Sequence, residues 1–205
     1  ISIYRKEGAS RPAFNLDSNN VLFTSPAKDG KFVDDLYVGS NLKAVGTTNS
    51  TEWKLTLKDS SRSSFKASTS ANFAKPGENI TITYSGAKKG SYEHVSAMIV
   101  DKNDDVLYYG RIAQKSESGT STVTIPADIA PGDYRLKIFN EQCNDDYRTD
   151  YASDFVNIDL TIREKLSEQF NLSPGEKYYF DLSGLNIPGT VNSYLLDSSL
   201  HYVPF

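Results

Sequence analysis

Cysteine, histidine and long apolar runs are all scarce in this 205-residue sequence, which has one cysteine and two histidines. The single cysteine, Cys143, excludes an internal disulfide, and no paired cysteine spacing indicates a zinc site. No apolar run approaches the roughly 20 residues that a membrane-spanning helix needs, and the first residues lack a signal-peptide pattern. The sequence therefore predicts a protein without a disulfide, a metal site of this kind or membrane insertion.

An excess of basic charge is also missing, because the formal net charge is −4 and the lysines and arginines are scattered. Nucleic acids and anionic lipids bind basic patches. We therefore expect no nucleic-acid partner.

The motifs of common enzyme classes are absent as well. The sequence has no Gly-x-Ser-x-Gly nucleophile elbow, no phosphate-binding Gly-rich loop ending in Lys-Ser or Lys-Thr, and no His-Glu-x-x-His. His94 is predicted at the start of a strand and His201 in the last predicted strand, and neither has a recognisable nucleophile nearby. We expect no enzymatic activity and no cofactor.

The two-residue alternation of β-strands, interrupted by Gly, Pro, Asn or Asp, dominates what is present. It is clearest in residues 78–86, where Ile80, Ile82 and Tyr84 share one face. Seven such strands are predicted within residues 64–163. Their number and spacing indicate an all-β fold with an Ig-like β-sandwich.

The start of the penultimate strand supports this prediction. Gly132-Asp-Tyr134 resembles the tyrosine corner of Ig-like domains, in which the phenol is hydrogen-bonded to the backbone just before the strand. The same strand places Tyr134, Leu136 and Ile138 on one face, which we predict to be buried.

Smaller β-rich segments are predicted on both sides, giving the domains 1–63, 64–163 and 164–205. In the first segment, residues 52–58 form a predicted strand with Trp53, Leu55 and Leu57 on one face. The Ser-rich residues 60–64 are the candidate linker, and residues 163–170 are predicted to form a helical turn or two.

The predicted loop between the last two sandwich strands, within residues 140–152, collects acids and amides. Such oxygens are ligands for Ca²⁺, but their spacing matches no calcium loop and Arg148 neutralises part of the charge. We favour a polar hairpin tip over a metal site. Its candidate binding residues are Asn144, Asp145, Asp146, Tyr147, Asp150 and Tyr151.

Three other patterns are interpreted as structural. Cys143 has no His or Lys in its loop to lower its pKa, so we predict a semi-buried or incidental thiol rather than a nucleophile. Residues 101–105 have the spacing that opens an EF-hand, but Val106 and Ile112 replace the required Gly and Glu, which favours a hairpin turn. The tyrosine pairs 108–109 and 178–179 suggest sugar stacking, although strand alternation also explains them.

Several phrases of the sequence occur together in one kind of protein. The phrases RPAFNL, VLFTS, EWKLTLKD, PGDYRLKIFNEQ, TDYAS, YYFDLSGLNIPGTVN and LHYVPF resemble the modular surface proteins of gut-dwelling Gram-positive bacteria. In these proteins, Ig-like modules alternate with modules similar to C-type lectins or formylglycine-generating enzymes. The resemblance implies that residues 1–16 end one lectin-like module and residues 177–205 begin the next, so that the chain is a piece of a larger protein.

The resemblance implies an extracellular location, on the cell surface or secreted, and a host or cell-wall glycan or protein as partner. We expect a non-enzymatic structural or interaction segment that acts as a spacer or adhesion module. Two alternatives stay open, a carbohydrate-binding module for host glycans and an accessory domain of a secreted hydrolase.

Overall fold

The computed structural model describes residues 17–27, 30–31, 38–46, 50–143, 149–163, 194–196 and 202–204. The described residues are organised into β-strands and two short 3-10 helices, so the predicted all-β class is confirmed. The chain divides into two compact units, residues 1–163 and residues 164–205.

The first unit contains twelve described strands. In chain order they are β1 (Val21–Pro26), β2 (Lys43–Ala44), β3 (Trp53–Lys58), β4 (Lys66–Thr69), β5 (Phe73–Ala74), β6 (Asn79–Ser85), β7 (Glu93–Val100), β8 (Val106–Gln114), β9 (Gly119–Thr124), β10 (Gly132–Gln142), β11 (Asp150–Ala152) and β12 (Val156–Ile162).

Two sheets form the predicted sandwich. The smaller sheet has the order β4-β6-β9, and the larger one contains β12, β10, β7 and β8 as consecutive neighbours. Of these seven strands, the smaller sheet carries the first, second and fifth, and the larger sheet carries the other four, as two packed sheets of a β-sandwich. The short β5 pairs in parallel with β12 at the edge of the larger sheet.

The core between the sheets follows the alternation of the sequence. Ile80, Ile82 and Tyr84 of β6 are all buried, as predicted, while the residues between them are exposed. From β10, Leu136 and Ile138 enter the same core, and Tyr134 packs against it.

The tyrosine corner is present. The Tyr134 hydroxyl donates a hydrogen bond to the backbone oxygen of Ala130, at 2.9 Å. The bond fixes the start of β10 to the connection that precedes it, as the sequence predicted.

We expect Tyr134→Phe to lower the free energy of unfolding by about 1 kcal/mol, the typical contribution of one hydrogen bond. Urea denaturation at pH 7 measures the change. Tyr92→Phe, at a half-exposed tyrosine, is the matched control. Equal effects of the two substitutions would contradict a stabilising role for the corner.

The turn between β7 and β8 is a hairpin rather than a calcium loop. One Asp101 carboxylate oxygen accepts hydrogen bonds from the backbone N–H groups of Asn103, at 2.8 Å, and Asp105, at 2.9 Å. Asp104 adopts a left-handed conformation with φ of 70°. The Asp101 carboxylate therefore bonds to its own turn, whereas the Asp104 carboxylate pairs with Arg135 and Lys137 of β10.

The larger sheet continues beyond the sandwich. The last two residues of β10 pair with β11, β11 pairs in parallel with β3, and β3 pairs with β1. We call β1, β3 and β11 the wing. Strands before and after the predicted boundary at residues 63/64 thus share one sheet, and the domain limits themselves stay a prediction.

The wing covers the outer face of the larger sheet with a second core. Phe23 of β1 contacts Phe139 of β10 edge to face, with ring centroids 5.7 Å apart. Phe155 stacks on Phe23 and contacts Phe139 edge to face. Met98, Val100 and Ala152 are buried in the same cluster. The sheet face that would be solvated in an isolated sandwich is therefore buried here.

The buried face of β3 carries polar side chains. Lys54 and Thr56 are buried, whereas Trp53 is 53% exposed. Trp53, Leu55 and Leu57 do share a face, as predicted, but it is the more exposed face of the strand.

The Ser-rich segment predicted as a linker is ordered. Residues Ser60–Arg62 form a 3-10 helix, and the Asp59 side chain accepts the N–H of Ser61 at its start. The predicted helical turns at residues 163–170 lie outside the described residues, apart from Arg163. In the second unit, β13 (Tyr194–Leu196) pairs antiparallel with β14 (Tyr202–Pro204).

Candidate functional site

The candidate site lies beneath the wing, on the outer face of the larger sheet. Strand alternation places Glu141 on the same face of β10 as Phe139, and puts Ser96 of β7 opposite Phe139. Because the wing covers this face, a polar row of the sheet is enclosed. Four charged side chains form what we call the ion chain: Lys54, Asp150, Lys31 and Glu141.

Glu141 is the inner end of the ion chain, and its side chain is fully buried. Its Oε1 accepts hydrogen bonds from the Ser96 hydroxyl, at 2.6 Å, and from the Tyr109 hydroxyl. Its Oε2 lies 2.6 Å from the Nζ of Lys31. Both carboxylate oxygens are therefore held by donors from separate elements.

Asp150 forms the centre of the ion chain. Its Oδ2 lies 3.0 Å from the Nζ of Lys31, and its Oδ1 lies 2.9 Å from the Nζ of Lys54. The pairing of β11 with β3 brings Asp150 beside Thr56, whose side chain is on the same face as that of Lys54. A single carboxylate thus joins two buried ammonium groups.

The backbone just before Lys31 passes very close to Pro26. A Cβ added to Gly30 would lie 2.2 Å from the backbone oxygen of Pro26, so only glycine fits there. The Lys31 Nζ also lies over the Phe23 ring, 4.8 Å from its centroid, a distance that allows a cation–π interaction.

The two lysines and the two carboxylates of the ion chain compensate one another's charge. Burial tends to raise the pKa of Glu141, but the adjacent Lys31 and the three hydrogen bonds hold the pKa below its usual value. Burial tends to lower the pKa of Lys31, and the carboxylates of Glu141 and Asp150 hold it above its usual value. Both groups are therefore charged at neutral pH.

Arg111 and Cys143 lie next to the ion chain. The guanidinium of Arg111 is buried and one of its amino groups is 3.4 Å from the Cys143 sulfur. Burial is the main cause that raises the pKa of Cys143 to about 12, followed by the negative charge of Glu141. Cys143 is fully buried rather than semi-buried, and its raised pKa agrees with the prediction that it is not a nucleophile.

We expect Cys143 to react with iodoacetamide at pH 8 far more slowly in the folded protein than in denaturant. The pKa of about 12, against an ordinary 9.0, corresponds to an approximately thousandfold smaller thiolate population well below both values. Mass spectrometry of timed samples measures the labelling. Comparable rates in the two conditions would contradict the buried position.

The six residues predicted as a contact surface are only partly described. Asn144, Asp145, Asp146 and Tyr147 lie outside the described residues. Asp150 is 2% exposed and belongs to the ion chain, whereas Tyr151 is 42% exposed. Of these two, Tyr151 alone has an exposed side chain, and the binding role of the whole set stays a prediction.

The predicted loop begins later than expected. β10 continues through Gln142, and Asn140 and Glu141, which we expected at the polar tip, are 0% exposed. The prediction that the loop begins at Asn140 is wrong, because both polar side chains have partners inside the fold. Asn140 bonds to Arg62 and to the backbone oxygen of His94, and Glu141 bonds to Lys31, Ser96 and Tyr109. No group of three acidic, histidine or cysteine side chains suited to a metal occurs within the described ranges.

A second feature is an aromatic surface on the wing. Tyr151 is in register with Leu57, which shares a face of β3 with Trp53. Four residues of a strand span about 13 Å, so the two exposed rings flank a half-buried apolar strip. By contrast, Tyr108 and Tyr109 are both buried, on opposite faces of β8, and provide no exposed platform.

Comparison of the sequence with protein-family models gives no match. Comparison with curated proteins gives no significant match. Within the described part of the chain, no helix has the length and apolar character needed to cross a membrane.

Proposed function

We propose that the chain is a non-enzymatic structural and interaction segment of a bacterial cell-surface protein. In this proposal the sandwich is a rigid spacer and the wing fixes its orientation relative to the preceding part of the chain. The observation that carries the proposal is the union of wing and sandwich in one sheet with a shared buried ion chain.

The physical argument concerns the joint between consecutive segments. Separate domains joined by a flexible linker move relative to one another by default. Here Arg62, in the short segment between the wing and the sandwich, is bonded to Asp59, to Glu93 and to Asn140. Such a joint resists bending, which is what a spacer on a cell surface requires.

The location part of the proposal is tested on intact cells of the source bacterium. Antibodies raised against the 205-residue chain are expected to label intact cells, and brief protease treatment of those cells is expected to remove the labelling. Labelling that appears only after lysis would overturn the surface location. Recovery of the protein only from the culture medium would favour the accessory domain of a secreted hydrolase.

The second candidate function is carbohydrate binding, and the exposed Trp53 and Tyr151 favour it. Aromatic rings on the open face of a sheet offer apolar platforms to sugar rings, and the strip between them is apolar. The candidate ligand is a glycan of the host or of the cell wall.

A glycan array probed with the wild-type chain tests this candidate. We expect Trp53→Ala and Tyr151→Ala to abolish any binding, whereas Phe73→Ala, at an exposed aromatic on β5, leaves it unchanged. Absence of wild-type binding across the array would remove the candidate, and equal loss in all three variants would show that the wing is not the site.

A further inference from the structure

The ion chain has the groups and the arrangement needed to form an amide bond. We propose that the Nζ of Lys31 and the carboxyl group of Asp150 condense into an intramolecular isopeptide bond, with Glu141 as the proton-transfer group. The proposal goes beyond the spacer function and does not depend on it.

The nucleophile and the electrophile are already in contact. The Lys31 Nζ lies 3.0 Å from the Asp150 Oδ2, which is bonded to the carbon that would be attacked. Reacting groups that the fold holds close together react as if at very high effective concentration. The two side chains are 6% and 1% exposed, so little water competes for either group.

Glu141 is placed to move the protons. Its Oε2 lies 2.6 Å from the same Lys31 nitrogen, within the range of direct proton transfer. The hydroxyls of Ser96 and Tyr109 hold Oε1, which leaves Oε2 directed at the lysine. The Lys31 nitrogen therefore contacts Glu141 Oε2 and the Asp150 oxygen that must leave, at 2.6 Å and 3.0 Å.

Lys54 is placed to stabilise the charge that develops during attack. Addition of nitrogen to the Asp150 carboxyl carbon creates a tetrahedral intermediate with negative charge on oxygen. The Lys54 ammonium lies 2.9 Å from Oδ1, the oxygen that remains in the product. A fixed cation at that position acts as an oxyanion hole does.

The reaction is a balanced condensation without an external reagent. Lys31 begins as an ammonium and Asp150 as a carboxylate. Glu141 accepts one proton from Nζ, the amine attacks the Asp150 carbon, and Glu141 passes the proton to Oδ2. A second proton follows the same route, the carbon–oxygen bond to Oδ2 breaks, and one water leaves. The products are an amide and a regenerated Glu141 carboxylate.

The bond would close a long covalent loop in the chain. It links the segment after β1 to β11, across a sequence separation of 119 residues. A cross-link over so long a loop restricts the unfolded chain strongly, as a disulfide does. The protein would thereby have a covalent cross-link, although its single cysteine, Cys143, cannot form an internal disulfide.

The intact mass of the purified wild-type chain is the decisive measurement. We expect it to be lower by one water than the mass calculated from its sequence. After proteolysis, we expect a branched peptide that joins the fragments containing Lys31 and Asp150. The full sequence mass after prolonged incubation of the folded protein at neutral pH would overturn the proposal. A water loss located in one linear peptide, or a link to Lys54, would overturn it equally.

Three substitutions test formation of the amide bond in proteins that are expected to remain folded. Lys31→Arg keeps a cation beside both acids but removes the nucleophilic amine, and Glu141→Gln keeps the shape but removes the proton acceptor. Both are expected to have the full sequence mass and a folded circular dichroism spectrum. Asp150→Asn is expected to retain the link and to lose ammonia instead of water. A water loss that persists in either of the first two variants would exclude the proposed roles.

Discussion

Asp150→Ala is expected to lower the free energy of unfolding by about 3–5 kcal/mol, the range for removing one partner of a buried ion pair. The substitution removes the carboxylate that lies between Lys31 and Lys54, whose side chains are 6% and 5% exposed. Two ammonium groups then remain buried near each other without the charge that separates them. In the cross-linked form alanine removes the amide as well, so a loss of stability is expected there too.

The matched control is Asp154→Ala, four residues further along the chain. Asp154 pairs with Lys58 at 2.7 Å, but the two side chains are 63% and 41% exposed. Exposed pairs of this kind contribute about 0–1 kcal/mol. Urea denaturation of both variants at pH 7 measures the difference. A similar small loss in the two variants would show that the ion chain is not a buried structural element.

The sandwich was predictable from the sequence because its strands obey one simple rule. In β6, apolar residues alternate with polar ones, and the apolar face is the buried one. The Gly132-x-Tyr134 pattern then specified a particular hydrogen bond, which the Tyr134 hydroxyl makes. Local pattern and global fold agree in this part of the chain.

In the wing, the same rule predicted β3 as a strand but did not indicate which of its faces is buried. Alternation in β3 identifies two faces, but the buried face carries Lys54 and Thr56 rather than Trp53 and Leu55. Hydrophobicity marks the inward face only when the buried surface is apolar. Here the inward face meets Asp150, which lies almost a hundred residues away in sequence, and no local pattern indicates that partner.

The candidate site was hidden for a related reason. Glu141 and Asp150 were visible as acids of a polar segment, and such a segment normally indicates a solvated loop. Lys31 lies 110 residues from Glu141 in sequence, so the pair becomes apparent only when β1 and the segment after it are placed over the sheet. One signal was available: Glu141 continues the alternation that begins at Phe139, which puts it on a sheet face rather than in a turn.

Arg62→Ala is the second large effect that we expect, again about 3–5 kcal/mol of unfolding free energy. The Arg62 side chain is 2% exposed and forms a bidentate pair with Glu93, whose Oε1 is 2.9 Å from one amino group. It also donates to the Asn140 side-chain oxygen, at 2.9 Å, and through Nε to Asp59, at 3.1 Å. Alanine would leave these acceptors without their shared donor.

Arg135→Ala is the control, because Arg135 pairs with Asp104 at 3.2 Å while 46% of its side chain is exposed. Hydrogen exchange adds a readout that stability alone does not give. Since Arg62 joins the segment between wing and sandwich to β7 and β10, its loss should raise exchange in β3 more than in β6 of the sandwich core. Uniform protection across both strands, with the wild-type denaturation midpoint, would show that Arg62 does not hold the joint. A rigid joint is what the spacer proposal requires, so this substitution tests its physical basis directly.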